Sequence, residues 1–437
     1  MSEEVGLDER LDDSEDEQGQ KWREVRLEDV SRKRSENVDP QEVDLDMHVG
    51  LEHIDPNTPY PEWEPVGGLS STKRRFEAGD ILFAKLRPNL EKSAQPDFEG
   101  VASTDIFPIV AEEGINAKYL LYRLSSKPAY DYARRTSAGT RMPRTSWNLF
   151  SNFEFDLSPL EEQRRIATVL HNVDQAIQKT KGIIEQTKSV RDGLRQNVFS
   201  QGIRPDGRFR NLDGSELKET RIGKIPPSWR FLRLDEVCSD VVDCLNTTPE
   251  YSDDGIRVIL TSEIEEGRYN PEESPYVSEE VYEDRIRRIE PKPDDVVFTR
   301  EAPIGEAFKI PEGERLCLGQ RTMQLRPEAG VLNSHYLLEL LYSEKMQSWY
   351  RRVAVGSTTK HMRVEDVEGM KIPVPPIDEQ EQIAALLGSY REYVEANMEH
   401  SAQLKRLKEG LMQDLLSGTV RTADTNIEVP EEIAQHG

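Results

Sequence analysis

The sequence predicts an α+β protein with two tandem globular α/β domains, each followed by a long helix, and the two helices packing as a coiled coil. Two observations lead to this prediction. A stretch that begins at Pro159 returns at Pro376, and each copy opens a long helical pattern without proline. Shorter strand-like stretches recur in the same order before each copy. The chain is therefore predicted to be an internal repeat with pseudo-twofold symmetry.

Each copy of the repeated stretch carries the signals of a helix start. The first is Pro-Leu-Glu-Glu-Gln-Arg-Arg-Ile-Ala from Pro159, and the second is Pro-Ile-Asp-Glu-Gln-Glu-Gln-Ile-Ala from Pro376. Proline suits the first turn because its missing N–H would have no partner there. The carboxylates that follow favour the positive end of the helix dipole. We therefore expect helices over 160–201 and 377–417.

A 4-3 spacing follows each start and indicates a narrow seam for a partner helix. In each helix seven of the ten seam positions are apolar, and the two sets are related by an offset of 217 residues. The simplest partner for each seam is the other helix. The seams are Ile166, Leu170, Val173, Ile177, Thr180, Ile184, Thr187, Arg191, Leu194 and Val198, and Ile383, Leu387, Tyr390, Val394, Asn397, Ser401, Leu404, Lys408, Leu411 and Leu415.

Length and composition limit the class of protein. A chain of 437 residues with 36% hydrophobic and 32% charged residues has room for about two to four domains. No apolar run is long enough to cross a membrane, and the acidic N-terminus lacks the apolar segment of a signal peptide. Cys238, Cys244 and Cys317 fit neither a disulfide framework nor a zinc-site pattern. We expect a cytoplasmic protein with free, buried thiols, no metal and no membrane partner.

The net charge of −25 argues at first against a nucleic-acid partner. Much of it lies in the tails, because residues 1–20 carry nine acids and one arginine, and residues 422–437 carry four acids and no Lys or Arg. Both tails are predicted to be disordered from their composition. The acids that remain suggest a halophilic protein from a salt-rich cytoplasm, although an acidic mesophile protein would look similar.

The elements before each helix recur in one order. Residues 203–228, which separate the copies, are rich in Gly and Pro and indicate a linker. The paired stretches are a strand and turn from Trp22 and from Trp229, a buried strand from Gly79 and from Asp294, a strand from Val101 and from Leu318, and a short helix around Tyr119 and around Tyr336. The predicted segments are an acidic tail (1–20), a first domain (21–158), a helix (159–202), the linker (203–228), a second domain (229–375), a helix (376–418) and an acidic tail (419–437).

Two basic loops precede the helices at matching repeat positions. Residues 134–145 and 350–363 each carry four positive charges and no acid, in a chain with 82 acids and 57 bases. Arg and Lys neutralise phosphates, hydroxyls add phosphate contacts, and Arg can bond bidentately to guanine. The alternative is a solvated basic loop that offsets acids elsewhere, and finding two such loops at one repeat position makes that alternative weaker. The candidate DNA-binding residues are Lys85, Arg87, Arg134, Arg135, Thr140, Arg141 and Arg144, and Arg300, Arg321, Arg351, Arg352, Thr358, Lys360, His361 and Arg363.

Searches for catalytic motifs find nothing. The sequence lacks the phosphate-binding loop, the dinucleotide-binding loop, the His-Glu-x-x-His pair and the Gly-x-Ser-x-Gly elbow. Asp294 and Asp295 could suggest part of a nuclease motif, but they stand at the repeat position of a strand entry, so a structural turn is favoured. We expect no catalytic residue and no cofactor in this chain.

Through the combination of these motifs, the chain resembles the specificity subunits of type I restriction–modification systems over roughly residues 20–420. The resemblance is carried by the repeated helix starts, the loops at Gly139 and Gly356, the segment 222–229, and the helix ends near Gly193 and Gly410. It implies two target-recognition domains that each read half of a bipartite, asymmetric site in double-stranded DNA. It also implies an antiparallel helix pair that sets the distance between the half-sites.

The same resemblance implies which partners the chain has. Two methyltransferase subunits would dock on the helices and adjoining surfaces, and translocase–nuclease subunits would join the complex. S-adenosylmethionine, ATP and Mg²⁺ would belong to those partners. Two alternatives remain open from the residues alone: a coiled-coil scaffold without a DNA role, and a hydrolase that uses an unrecognised carboxylate pair.

Overall fold

The computed structural model describes residues 21–56, 58–356, 360–423 and 425–434. Within these residues the chain forms two compact units. Unit 1 takes the residues up to Gly182 and those from Glu399 onward, and unit 2 takes Ile183–Met398. Each unit therefore joins one set of strands to half of each long helix. The predicted tail over 1–20 lies outside the described residues.

The strands, in chain order, are β1 (Arg23–Arg26), β2 (Ser31–Lys33), β3 (Asn37–Val38), β4 (Met47–Val49), β5 (Glu64–Pro65), β6 (Lys73–Phe76), β7 (Ile81–Ala84), β8 (Ser93–Ala94), β9 (Gly100–Ala102), β10 (Ile106–Ala111), β11 (Glu154–Leu157), β12 (Arg230–Arg233), β13 (Cys238–Asp243), β14 (Ile256–Ile259), β15 (Ile264–Glu265), β16 (Arg268–Tyr269), β17 (Tyr276–Val277), β18 (Val296–Arg300), β19 (Ile304–Lys309), β20 (Leu316–Leu318), β21 (Thr322–Pro327) and β22 (Lys371–Val374). The α-helices are α1 (Leu27–Val30), α2 (Ala117–Leu124), α3 (Lys127–Arg135), α4 (Trp147–Phe150), α5 (Leu160–Gln201), α6 (Glu279–Arg285), α7 (Ser334–Leu341), α8 (Glu344–Val353), α9 (Val364–Glu368), α10 (Ile377–Leu416) and α11 (Glu431–Ala434).

The strands of unit 1 form a four-stranded sheet in the order β2-β10-β7-β8, a five-stranded sheet in the order β3-β6-β9-β4-β5, and the pair β1-β11. The central pair β7 and β10 is antiparallel and places Phe83 opposite Phe107. The core behind this sheet combines apolar residues of β7 and β10 with α2, with the start of α5 and with the end of α10. The second half of α10 therefore belongs to the same core as the first half of α5.

Unit 2 repeats this plan. Its main sheet has the order β13-β21-β18-β19, a second sheet has the order β17-β14-β20, and β12 pairs with β22 as β1 pairs with β11. The antiparallel pair β18 and β21 places Phe298 opposite Met323. The core contains apolar residues of the sheet, of α7, of the end of α5 and of the start of α10. The predicted α+β fold with an internal repeat is confirmed.

The predicted seams of the two long helices face inward. Every seam position of α5 and α10 is buried or half-buried, although four of the twenty are polar uncharged residues and two are cations. Within unit 1 the start of α5 shares a core with the end of α10, and within unit 2 the end of α5 shares a core with the start of α10. In each unit the two helices therefore pack together with opposite ends in contact.

The glutamine of the repeated helix-start motif ties each long helix to the short helix of its domain. The side-chain oxygen of Gln163 accepts a hydrogen bond from the backbone N–H of Asn116 at 2.8 Å, and that of Gln380 accepts one from Asn333 at 2.9 Å. Each asparagine caps the short helix that follows, because its side chain accepts the N–H three residues on. The repeated motif therefore forms the same junction in both units.

The predicted disorder of the C-terminal tail is wrong for the residues that the structure describes. Ile433 of α11 is fully buried in the core of unit 1, and its carbonyl accepts a hydrogen bond from the side-chain amide of Asn116 at 2.7 Å. His171 and Glu432 lie 3.0 Å apart. An acidic composition does not prevent docking when one apolar side chain and several carbonyls find partners on a folded surface.

The segment 203–228 also packs. Ile203, Ile222 and Ile225 are buried in the core of unit 2, so this irregular segment belongs to a folded unit. All three cysteines are free and buried, as expected, and burial raises the pKa of Cys238 to about 12. None of the helices in the described part of the chain is long and apolar enough to span a bilayer.

Candidate nucleic-acid interface

In unit 1 the structure brings the candidates Lys85 and Arg87 together with the basic loop 134–145. The residues that follow β7 lie alongside the loop that joins α3 to α4. The N–H of Arg87 donates to the carbonyl of Pro143 at 2.8 Å, and the N–H of Thr145 donates to the carbonyl of Lys85 at 3.1 Å. Leu86 and Arg144 form an isolated antiparallel bridge between these bonds. The candidates on both segments therefore share one surface.

The loop itself is a short hairpin. Ala138 and Arg144 exchange two backbone hydrogen bonds of 3.0 Å, which leaves Thr140 and Arg141 exposed at the tip. Gly139 has a φ of 101°, and a Cβ there would lie 3.3 Å from the carbonyl oxygen of Met142. A side chain at this position would strain the turn. The glycine therefore shapes the hairpin that presents the tip.

The cations of unit 1 fall into two groups. Arg87, Arg135 and Arg141 are exposed, and among the described residues no carboxylate lies within ion-pair distance of them. Arg134 is held by Glu91 and Asp131, and Arg144 is held by Asp105. Lys85 is half-buried over the ring of Phe107, and burial lowers its pKa. The first group is free to neutralise phosphates without first breaking an ion pair.

Unit 2 builds the same arrangement from the matching residues. The N–H of Met362 donates to the carbonyl of Arg300 at 2.9 Å, and Val355 and His361 exchange two backbone hydrogen bonds of 2.9 Å. Glu301 and His361 form the bridge that corresponds to Leu86 and Arg144. The second basic loop is thus also a hairpin laid against the end of a central strand.

The side chains of unit 2 are more often paired. Arg300 is held by Asp243 at 2.9 Å and is largely buried, Arg321 lies 3.4 Å from Glu301, and Arg351 lies 2.6 Å from Glu344. Arg352 donates to the carbonyl of Arg221 at 3.0 Å. In the described part of this loop, Lys360 and Arg363 are exposed without an ion-pair partner, and Thr358 lies outside the described residues.

The acids that hold these arginines were not among the residues predicted from the sequence. Asp105, Glu91, Asp131, Asp243, Glu301 and Glu344 each lie beside a predicted cation. Several of the partners are far apart in the chain: 39 residues separate Asp105 from Arg144, and 57 separate Asp243 from Arg300. In a chain rich in acids, no local signal distinguishes these carboxylates from solvated ones.

One group of possible metal ligands occurs in the described part of the chain. Ligand atoms of His48, His53 and Glu64 lie within 4.8 Å of one another. Nδ1 of His48 lies 2.9 Å from a carboxylate oxygen of Glu64, and Nδ1 of His53 accepts the N–H of Gly50 at 2.9 Å. A neutral histidine that accepts at Nδ1 carries its proton on Nε2, so His53 has no free lone pair for a metal in this arrangement.

The fold and the paired hairpins define a class of protein: a chain built as an internal repeat, with a similar candidate surface for nucleic acid in each unit. Residues 19–189 and 226–406 match the family model described as the type I restriction modification DNA specificity domain. These two matches cover more than half of the chain, and this protein belongs to that family.

Individual relatives and solved structures agree with this placement. The chain is 25% identical over 313 residues to the type I restriction enzyme MjaVIII specificity subunit of Methanocaldococcus jannaschii, which covers 70% of this chain and 71% of that protein. It is 22% identical over 339 residues to the EcoBI specificity subunit of Escherichia coli, which covers 74% of this chain and 70% of that protein.

Two solved structures share the fold. The S subunit of a type I system from M. genitalium has a TM-score of 0.54 at 12% identity and covers 93% of this chain and 98% of its own. A chain from a study of the assembly and conformational transition of a type I restriction–modification system has a TM-score of 0.51 at 23% identity and covers 91% and 98%.

Proposed function

We propose that this chain is the DNA-specificity subunit of a type I restriction–modification complex. Each unit binds one half of a bipartite, asymmetric site in double-stranded DNA through its basic hairpin. The chain itself catalyses nothing. It directs partner methyltransferase and nuclease subunits to the site, and the helices α5 and α10 set the distance between the half-sites.

The observation that carries this proposal is the repetition of one basic hairpin at one place in both units. Each hairpin lies against the end of a central strand. Exposed cations lie on the hairpin or beside it, Arg87 and Arg141 in unit 1 and Lys360 and Arg363 in unit 2. In a chain with a net charge of −25, two matching basic surfaces are hard to explain by chance. A target with two parts explains both their chemistry and their number.

The partners follow from the family. Two methyltransferase subunits and translocase–nuclease subunits would complete the complex, and S-adenosylmethionine, ATP and Mg²⁺ would bind to them. The complex would act on DNA in the cytoplasm. We also propose that this cytoplasm is rich in salt, because a carboxylate-rich surface stays solvated there, and counterion release then contributes little to binding.

Methylation mapping tests the proposal. The host genome is mapped with the gene, without it, and with charge reversal in either hairpin. Arg87→Glu with Arg141→Glu disables unit 1, and Lys360→Glu with Arg363→Glu disables unit 2. We expect each pair to abolish methylation of one bipartite motif, because two reversed charges replace attraction to phosphate with repulsion. Arg208→Glu, on the exposed part of the segment between the domains, is the matched control and should leave methylation unchanged.

A scaffold without a DNA role predicts a different result. Deleting the gene would then leave the methylation pattern unchanged in a host that expresses a type I methyltransferase, and charge reversal would have no effect. A hydrolase predicts turnover of a substrate by the purified chain alone. Either result would contradict the proposal.

A further inference from the structure

Asp105 holds Arg144 by one edge of its guanidinium group. Nε of Arg144 donates to one carboxylate oxygen at 2.9 Å, and Nη2 donates to the other at 3.2 Å. A side-on pair of this kind occupies the Nε and Nη2 edge. The remaining edge, formed by Nη1 and the second hydrogen of Nη2, points away from the carboxylate, and the Arg144 side chain is 44% exposed. Nη1 also lies 3.5 Å from the carbonyl oxygen of Met142, a contact at the long limit of hydrogen bonding that engages at most one of the two Nη1 hydrogens. A planar acceptor pair in solvent can therefore reach it.

The backbone of Arg144 is held as well. Its N–H and its carbonyl both bond to Ala138 at 3.0 Å, and the residue is bridged to Leu86 on the neighbouring segment. Both the main chain and the side chain are therefore restrained before any ligand binds. Binding through a restrained group loses less conformational entropy than binding through a free one.

Two other paired arginines of the candidate set lack this open edge. Nη1 of Arg134 donates to Glu91 and Nη2 donates to Asp131, so both terminal nitrogens of its guanidinium already have a partner. Arg300 gives Nε to Asp243 and Nη1 to the carbonyl of Met362 and is largely buried. The remaining two, Arg321 and Arg351, are each held to a carboxylate through a single nitrogen, Nε and Nη2 respectively, so no second bond to the carboxylate fixes the plane of the guanidinium. Arg87 and Arg141 are exposed with no carboxylate to orient them among the described residues. Arg144 combines orientation with an accessible donor pair.

Guanine presents the matching acceptors. Its O6 and N7 lie side by side in the major groove, and two parallel N–H donors from one arginine recognise them. Resting on the proposed function, we propose that Arg144 reads a guanine in the half-site bound by unit 1, and that Asp105 is the positioning residue that holds its guanidinium. Arg87 and Arg141 would instead contact phosphates.

In unit 2 the repeat places different residues at the positions of Arg144 and Asp105. The position of Arg144 corresponds to His361 in unit 2, and both residues bridge to the segment after a central strand. The backbone N–H of Lys85 donates to the carbonyl of Asp105, and in unit 2 the N–H of Arg300 donates to the carbonyl of Arg321. Arg321 therefore occupies the repeat position of Asp105. At these two positions unit 2 therefore has His361 and Arg321 in place of the Arg144–Asp105 pair, and its half-site is read without this contact.

The test uses the full chain reconstituted with its methyltransferase partner and the motif found by methylation mapping. Each guanine of the unit 1 half-site is replaced in turn by 7-deazaguanine, which lacks the N7 acceptor. We expect one position at which the replacement weakens binding by the wild-type chain. Arg144→Ala should weaken binding to the natural site by about 5- to 150-fold, the range for a lost bidentate base contact. Replacing that guanine by 7-deazaguanine should not weaken binding by the Arg144→Ala variant any further. Hypoxanthine, which keeps O6 and N7, should be tolerated there.

Three variants separate base reading from charge. Arg144→Lys keeps the charge but loses the planar donor pair, so it should lose discrimination at the same guanine. Asp105→Asn removes an acid near DNA, so affinity for unrelated DNA should hold or rise while the ratio of specific to non-specific binding falls. Arg141→Ala should weaken binding to all sequences alike and reduce the dependence on salt, as a phosphate contact does.

The outcomes distinguish this inference from the proposed function. If the wild-type complex binds no specific motif, the proposed function fails. If specific binding occurs but no guanine shows Arg144-dependent sensitivity to 7-deazaguanine, the base-reading assignment is overturned. Equal behaviour of Arg144→Lys and the wild type would also overturn it, because charge alone would then suffice.

Discussion

Asp174 is a buried charged residue of α5 that contacts α10 in unit 1. Only 2% of its surface is exposed. Its carboxylate lies 2.6 Å from Nζ of Lys408 on α10 and accepts a hydrogen bond from the hydroxyl of Tyr122 at 2.7 Å. Paired in this way, the buried charge is tolerated, although an unpaired one would be very costly.

Unit 2 also buries an ion pair between its helices, but there the acid lies on a different helix from that in unit 1. The residues at the repeat positions of Tyr122 and Asp174 are Glu339 and Arg391. Glu339 accepts from Arg195 on α5 at 2.9 Å and from Arg391 on α10 at 2.5 Å. Burial alone would raise the pKa of Glu339, but Arg391 and Arg195 outweigh it and hold that pKa below its ordinary value. The buried acid therefore lies on the long helix α5 in unit 1 and on the short helix α7 in unit 2.

The first prediction concerns Lys408→Met. This change keeps the apolar stem but leaves the carboxylate of Asp174 without its cation, and we expect it to lower the free energy of unfolding by about 3–5 kcal/mol. Denaturant unfolding of the full chain measures the loss. The double change Asp174→Leu with Lys408→Met should recover most of it, because no buried charge is then unpaired. A double variant as unstable as the single one would contradict this account.

At the scale of elements, the glutamate of the helix-start motif anchors the segment that follows the other long helix. Glu162 of α5 accepts from Arg421 at 2.7 Å, from the N–H of Thr422 at 3.1 Å and from the indole of Trp22 at 2.8 Å. Glu379 of α10 accepts from Arg210 at 2.8 Å and from the N–H of Ile203 at 2.9 Å. The C-terminal tail and the segment after α5 are therefore docked by the same device.

Glu162 makes the docking of the tail dependent on pH. Burial would raise its pKa, but the hydrogen bonds from Arg421, Trp22 and Thr422 bring it below the ordinary value of 4.5. A carboxyl group with a lowered pKa in the folded state stabilises that state fully above its unfolded pKa, and the contribution is lost as the pH falls through the folded value. The contact should therefore be complete at neutral pH and weaken only below about pH 4.5.

The second prediction follows from this contact. Glu162→Gln should increase amide hydrogen exchange in the tail about 10- to 100-fold at pH 7, since hydrogen bonds to a charged group are worth about 1.5–3 kcal/mol. The change should also remove the acid-dependent loosening seen in the wild type. Glu379→Gln is the matched control and should loosen the residues after α5 while leaving the tail protected. Unchanged exchange in the tail of Glu162→Gln would count against the anchor.

At the scale of the whole molecule, the net charge of −25 opposes folding through repulsion between like charges. Ion pairs such as Asp174 with Lys408 offset this repulsion only locally. Salt shortens the range of the repulsion, because the Debye length falls from about 10 Å at 0.1 M to about 3 Å at 1 M. Buried pairs are screened much less, so salt removes more repulsion than attraction.

The third prediction is that the unfolding temperature rises by several degrees between about 0.1 M and 1 M KCl, where about 1 kcal/mol corresponds to roughly 2–4 °C. Thermal unfolding followed by circular dichroism measures the change. Sucrose is the control, because it stabilises by exclusion from the surface without screening charge. A temperature that falls with KCl would show that attractive surface pairs dominate and would remove the physical basis for a salt-adapted chain.

Patterns in the sequence predict the repeat, the two long helices and their seams, and the positions of the basic loops. These features depend on local signals, namely proline and carboxylates at helix starts, the 4-3 spacing, and glycine between cations. Gln163 and Gln380 illustrate the limit, because the repeat marks both of them but their contacts with Asn116 and Asn333 are set by the fold.

Tertiary contacts, in contrast, set which cations are paired with acids and where the C-terminal tail lies. Arg141 and Arg144 are three residues apart and look alike in sequence, yet only Arg144 is held by Asp105, which is 39 residues away. The acidic tail was predicted to be disordered, yet Ile433 is buried in unit 1. Ion pairs and docking depend on which groups, far apart in the sequence, the fold brings within a few ångströms of each other. A local pattern of residues cannot predict such contacts.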